Sequence, residues 1–439
     1  MNKAKFGIVL PITLFSYFLI LMDNSIIFTS STQIAHTLHM SATELSWISS
    51  AYTLTFGGFL LLSGRLLDLF GRKRVFMIGL LIFGLSSLFI GLASSSKIMI
   101  MMRALQGIGS SIIAPASLAL IMDAYQGPLR QRAIAYYGAT AGIGSSIGLL
   151  LGGGITTYFS WRVGFFINVP FTILLILITV YHVRNNTDKQ SSKIKIDYLG
   201  SCLSVIGLVS VIYGLTEGKG GLAILGLIIL GIFVAVEARI QQPILPLSLF
   251  KHRLRSSAYL VRLLFMMAML PLWFYLPQMM QTTYHFSALQ SGMAFLPMTV
   301  LNFIVAMQLP NLSKFLKNTQ IILLGEVLLF IGLVLLAVVP ANKGYWQVVF
   351  LPMLFLGSGQ GLVLSPVTSA GIHQAPNQLA GIASGVTNTM HQIGGPIGLA
   401  MIVATTNHFQ EKIMLMAVYI FIAFLITYFI MNEKIENET

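Results

Sequence analysis

The chain is built from long apolar runs separated by short polar breaks. Runs of mainly apolar residues fall at 7–29, 45–63, 75–93, 98–123, 133–158, 163–183, 197–216, 221–238, 256–281, 288–309, 320–339, 346–366, 379–405 and 412–431. Each is roughly the twenty residues that a helix needs to cross about 30 Å of hydrocarbon. A membrane barrel would instead show alternating segments of about ten residues. Lipid offers backbone amides no partner, so a spanning segment has to be a helix or part of a closed barrel. The pattern therefore predicts an all-α integral membrane protein with fourteen spans. The first run is too long for the apolar core of a signal peptide, and no small-residue cleavage site closes it. It reads as a retained first span.

The polar breaks divide these spans. A strongly polar break, residues 184–196, follows six of them, and a second basic linker, 239–255, follows the pair at 197–238. The predicted organisation is a six-helix bundle over 1–183, linkers with inserted helices 7 and 8 over 184–255, and a second six-helix bundle over 256–439. Repeated bundles around a midplane site are a common plan for secondary transporters. Residues 309–315 read as a worn copy of the loop after the second span. With the N-terminus inside, nineteen Lys and Arg fall in inner segments and five in outer ones, while Arg103 and Arg262 fall within spans. That asymmetry predicts both termini on the cytoplasmic side.

Composition agrees. Of 439 residues, 56% are hydrophobic and 9% charged, against about a quarter charged in soluble domains. Mean hydropathy is +0.84. The net charge of +13 comes from loop cations and implies no nucleic-acid partner. The single cysteine, Cys202, can form neither an internal disulfide nor a CxxC site. The eight His form no HExxH pair, and no Walker sequence occurs. The expectation is no metal, no cofactor and no direct ATP drive. Gly144, Ser146 and Gly148 match G-x-S-x-G literally, but inside an apolar helix without the strand-turn-helix of a nucleophile elbow. The glycine-rich stretch 357–361 lies in a span and is no phosphate loop.

The loop after the second span carries Gly64, Asp68, Gly71, Arg72 and Lys73. A tight turn with one acid and a cation cluster can latch helix ends and release them. On composition alone it is an ordinary inner loop. Its spacing resembles motif A of the major facilitator superfamily, G-x-x-x-D-R/K-x-G-R-R/K, with Leu69 where a cation is usual. Residues 21–27, LMDNSII, resemble the first-helix motif of drug exporters. Arg103, Gln106, Gly107 and Gly109 resemble motif B. Ser160, Trp161, Arg162, Phe165, Ile167, Asn168 and Pro170 resemble the S-W-R signature of fourteen-helix drug:proton antiporters. Gly381, Ser384, Gly385, Asn388, Gln392, Gly394 and Gly395 resemble a further stretch of that group. Motif C departs: Leu149 replaces its proline, while Gly144, Gly148, Gly152 and Gly153 remain. Four-residue glycine spacing makes a smooth helix face for close packing.

This resemblance, to the QacA-like multidrug exporters, implies the major-facilitator fold and a cavity that opens alternately to each side. It implies export of lipophilic, often cationic drugs or dyes in exchange for protons, across the plasma membrane. An ionisable residue inside a span is costly and so a functional candidate. Asp23 lies about 24 Å along the first span and Arg103 about 8 Å into the fourth, at similar depth in the outer half. Asp23 is the candidate proton and substrate carboxylate, with Arg103 as its partner; a fixed ion pair is the competing reading. Glu326, about 10 Å into its span, is a second candidate for proton coupling, or else an inter-helix bond. Arg262 is expected to snorkel or bind a carbonyl, and Asp123 to cap a helix end beside motif A. By the resemblance, Tyr52, Thr55, Trp273, Tyr275, Gln278, Asn302, Gln360, Asn388 and Gln392 lie on cavity-lining helices. Aromatic faces there would suit flat cations. Two alternatives stay open: a narrow-substrate exporter of the same fold, for an amino acid, sugar or siderophore, and a polytopic acyl-transferring enzyme. The second is disfavoured, since no catalytic His, Asp or Ser cluster supports it.

Overall fold

In the computed structural model the apolar runs are helices, and no strand occurs among the described residues. These are residues 6–183, 197–240, 243–376 and 379–431, without the side chains at 68, 135, 139, 141–143, 198 and 380. The 184–196 linker, the two chain ends and the side chain of Asp68 thus lie outside the described residues.

The helices are α1 Val9–Leu38, α2 Ala42–Phe70, α3 Arg72–Gly91, α4 Ser96–Ala124, α5 Gly127–Tyr158, α6 Trp161–Phe166, α7 Asn168–His182, α8 Tyr198–Thr216 and α9 Gly220–Glu237. They continue as α10 Arg253–Thr283, α11 Ala288–Ala294, α12 Leu296–Leu312, α13 Asn318–Val338, α14 Leu351–Ile372, α15 Ala380–Thr405 and α16 Phe409–Ile426. Twelve spans are long and apolar enough to cross a membrane by length and composition. α6 and α7 form one of these, as do α11 and α12. The glycine-rich α5 and α15, of 32 and 26 residues, are long helices outside those twelve.

Two expected boundaries are corrected. α1 runs to Leu38 rather than stopping near 29. Its extra turns are polar yet anchored: Ser30 shares a hydrogen bond with Thr156 at 2.6 Å, and Gln33 donates to the Thr156 carbonyl and accepts from the Trp161 amide. The sixth run breaks at Ile167, where α6 ends and α7 begins.

Local chemistry sets the ends. Ser41 and Glu44 make a capping box at the start of α2, satisfying amides that the helix cannot. Ser95 and Ser160 cap α4 and α6 more simply, each hydroxyl accepting one amide, from Ile98 and Arg162. Gly71, at φ +86°, makes the one-residue turn from α2 to α3, a conformation that a side chain would strain.

The chain forms two compact units. The first is Met1–Val205 with Ser287–Gly292, and the second is Ile206–Phe286 with Met293–Thr439. In the first, α5 packs along α1, and α4 packs against α2 and α3. A Cβ on Gly148 would stand 2.8 Å from the Met22 Cα, and one on Gly152 would stand 2.7 Å from the Ile26 Cα. The backbones therefore touch where glycine removes the side chain. In the second unit α13 packs on α14, and α10 packs on α15 and α16. A Cβ on Gly325 would meet the Gly359 carbonyl at 2.9 Å.

Candidate functional site

The first unit buries an ion pair. Asp23 on α1 and Arg103 on α4 have no solvent exposure, and Arg103 Nη1 donates to Asp23 Oδ2 at 2.7 Å. Two amides complete the carboxylate's shell. Gln106 Nε2 donates to Oδ1 at 2.9 Å and Asn168 Nδ2 to the same oxygen at 2.7 Å. Both amides also donate to Ser87 Oγ on α3, at 2.8 and 3.3 Å. Arg103 donates further to Gln106 Oε1 at 2.6 Å and, through Nε, to the Ile48 carbonyl on α2 at 3.1 Å. Its guanidinium lies 4.2 Å from the centre of the Tyr52 ring, and the Tyr52 hydroxyl donates to Ser110 at 2.8 Å. α1, α4 and α7 thus meet at one carboxylate, and α2 and α3 join the same cluster through Arg103 and Ser87.

The shell follows from local sequence. Arg103 and Gln106 are three residues apart on α4, so they share one helix face. Gly107, on the next position, lets α4 approach the α2 backbone at Tyr52. Asn168 opens α7 just after the break at Ile167. The neighbouring signature residues hold that break in place. Trp161 is buried, and Arg162 donates to the Gly91 and Ala93 carbonyls at the end of α3. Gln106, Asn168 and Ser87 were not among the site residues expected from the sequence. Gln106 and Asn168 nonetheless stood inside quoted motifs, as polar side chains within apolar runs.

Around the α2–α3 turn, Arg72 pairs with Asp123 and donates to the Ala119 carbonyl at 3.0 Å. Lys73 donates to the Val180 carbonyl at 2.9 Å. The turn at Gly71 is thereby tied to α4 and α7, while Gly64 has open space around it. Of the glycines on α5, Gly144 faces Leu21, and Gly153 faces Ala288 and Leu289 of the same unit.

Of the expected cavity residues, Tyr52 is fully buried beside Arg103, and Thr55 donates to the Ala104 carbonyl at 2.7 Å. The others lie in the second unit and keep local partners. The Trp273 ring sits 5.6 Å from that of Phe295, and Lys412 lies 4.1 Å from the centre of Tyr275. Gln278 donates to the Phe274 carbonyl, and Gln360 approaches Met298 Sδ at 3.5 Å. Asn302 and Gln392 are half-buried, and Asn388 is exposed. Arg262 donates to the Leu364 carbonyl at 2.9 Å. Glu326 is buried on α13, where Oε1 accepts from Thr427 Oγ1 at 2.9 Å. The structure therefore brings Asp23, Arg103 and Tyr52 together and holds Glu326 in the other unit.

A helical chain with many spans and a charge pair buried inside one bundle belongs to the class of polytopic membrane transporters. This chain belongs to the major facilitator superfamily, whose pattern it matches over residues 13–399. It is a transporter and not an enzyme, and it is a multi-pass protein of the plasma membrane. It is 32% identical to the puromycin resistance protein pur8 of Streptomyces alboniger, over 90% of this chain and 80% of that one. It is 31% identical to the cephamycin export protein CmcT of Amycolatopsis lactamdurans, over 92% and 86%. Its fold is similar to that of the nucleoside transporter NupG, with a TM-score of 0.71 at 10% identity over 96% of this chain and 99% of that one.

Proposed function

We propose that this chain exports small lipophilic drugs or antibiotics, often cationic, in exchange for protons. The reading includes fourteen spans, with α5 and α15 added to the twelve apolar ones, and both termini in the cytoplasm. Likeness over nine-tenths of the chain to relatives named for antibiotic resistance and export carries it. The route is alternating access, driven by the proton gradient without a cofactor.

Asp23 takes the proton role. Both of its oxygens are filled by protein donors and it has no exposure, so no face is left for a cationic substrate. Protonation would instead cancel the charge that holds Arg103, Gln106 and Asn168, loosening the junction of five helices. Asp23 then senses the proton and the packing of the first unit responds. Glu326 is assigned to the proton path of the second unit. The aromatic and amide side chains Trp273, Tyr275, Gln278, Asn302, Gln360, Asn388 and Gln392 are the proposed substrate contacts there.

The names of the two relatives each mention one antibiotic, which favours a narrower substrate range as the second reading. A panel of puromycin, a cephamycin and cationic dyes, tested in proteoliposomes with an imposed pH gradient, separates the two. Export that survives collapse of the gradient sinks proton coupling. Asp23→Asn is expected to abolish substrate-evoked proton movement while the protein stays folded. Unchanged proton movement in that variant removes Asp23 from the cycle.

A further inference from the structure

Glu326 is 1% exposed in the middle of α13, with α14 and α16 packed against its helix. Its Oε1 accepts one hydrogen bond, from Thr427. Its Oε2 is buried and has no hydrogen-bond partner among the described residues. No cation pairs with it among the described residues. α13 and α14 carry no other acidic or basic side chain. On α16, Glu411 and Lys412 lie about 22 Å from Thr427 along the helix, and Tyr419 about 12 Å. Beyond α16, Tyr428 is half exposed. α10 also packs against the turn at Thr427. Its Arg255 and Arg262 spend N–H groups on the carbonyls of Leu249, His373, Gln374 and Leu364. Its Arg253, Tyr259 and Tyr275 make no hydrogen bond to Glu326 among the described residues.

An ionised carboxylate in this setting would keep a full charge away from water with one hydroxyl donor, which is strongly unfavourable. A neutral carboxyl leaves only one O–H without an acceptor, a much smaller cost. Thr427, its one partner, opens a π-helical turn, Thr427–Met431, at the end of α16. π-helical turns recur at functional sites.

We propose that Glu326 is a proton-exchanging carboxyl of the second unit, protonated in this conformation and released when the turn at Thr427 shifts and admits water to Oε2. The O–H bond of the acid breaks, the electron pair stays on the carboxylate and the proton passes to water. This deepens the exporter reading, and rests on it only for what the proton drives. The proton site itself is tested without transport.

The test is infrared difference spectroscopy on the full-length protein in lipid nanodiscs, taken through a pH cycle. The wild type should show the carbonyl band of a protonated carboxylic acid that fades as pH rises. Glu326→Gln should lose that band, and Asp23→Asn should keep it. Gln retains the oxygen that accepts from Thr427, so the fold should hold. Thr427→Val offers a second arm, because removing the hydroxyl should shift the band toward the free-carbonyl position. A band unchanged from acid to alkaline pH marks a permanently neutral side chain and overturns the proposal. So does a titrating band as strong in Glu326→Gln as in the wild type, or one that stays put in Thr427→Val. Failure of drug export in a protein whose band titrates would sink the exporter reading alone.

Discussion

The two units each bury a carboxyl, and they treat it in opposite ways. Asp23 receives Arg103, Gln106 and Asn168, with Ser87 bracing both amides. Glu326 receives one threonine hydroxyl and keeps a bare oxygen. Desolvating a charge is costly and is offset only by a counter-charge with good hydrogen bonds. The first site is therefore built to hold an ion, and the second is built so that a neutral acid is the less costly form. On the proposed reading, loss of the charge at Asp23 loosens a junction, while Glu326 stores the proton of its own bundle.

Removing the counter-charge should break the contrast most. Arg103→Leu leaves Asp23 buried and unpaired, and should cost about 3–5 kcal/mol of stability. Thermal unfolding in detergent would show it, and an unchanged transition would mean that Asp23 is not held as an ion. Removing one amide is milder. Asn168→Ala should cost about 1–3 kcal/mol, because an acceptor site on a charged group goes unfilled. At the other carboxyl, Glu326→Leu should change stability by no more than about 1 kcal/mol, since the lost acceptor for Thr427 is offset by removal of the bare Oε2. A large loss there would show that Glu326 is held as an ion, erasing the difference between the sites. The smallest effect is expected at the half-exposed Arg72–Asp123 pair. Arg72→Gln should alter stability by about 0–1 kcal/mol while the transport rate falls, if the pair acts as a latch. Equal transport rates would leave it as a loop contact.

Much of the fold was legible in the chain. The apolar runs became helices because each run satisfies its own backbone within a few residues, whatever its neighbours do. Two places resisted. The polar residues after 29 hid the last turns of α1, since Gln33 and Ser30 find their partners on distant helices. The glycines and hydroxyls of α5 and α15 lowered their hydropathy, although those glycines are what lets α5 touch α1. Asp23 and Arg103 could be placed at one depth by counting residues. Their direct bond, at a separation of 80 residues, could not be counted.

The sequence by itself determined that the chain crosses a membrane repeatedly, that it carries the motifs of a transporter family, and that two carboxyls lie where oil would be. Those are properties of composition and local spacing. Only the tertiary structure decided what each carboxyl meets. The rotation of a helix about its axis depends on how it packs against its neighbours, through contacts such as Gly148 on Met22 and Gly107 on Tyr52. That rotation brings Gln106 and Asn168 onto Asp23 and sets Thr427 against Glu326.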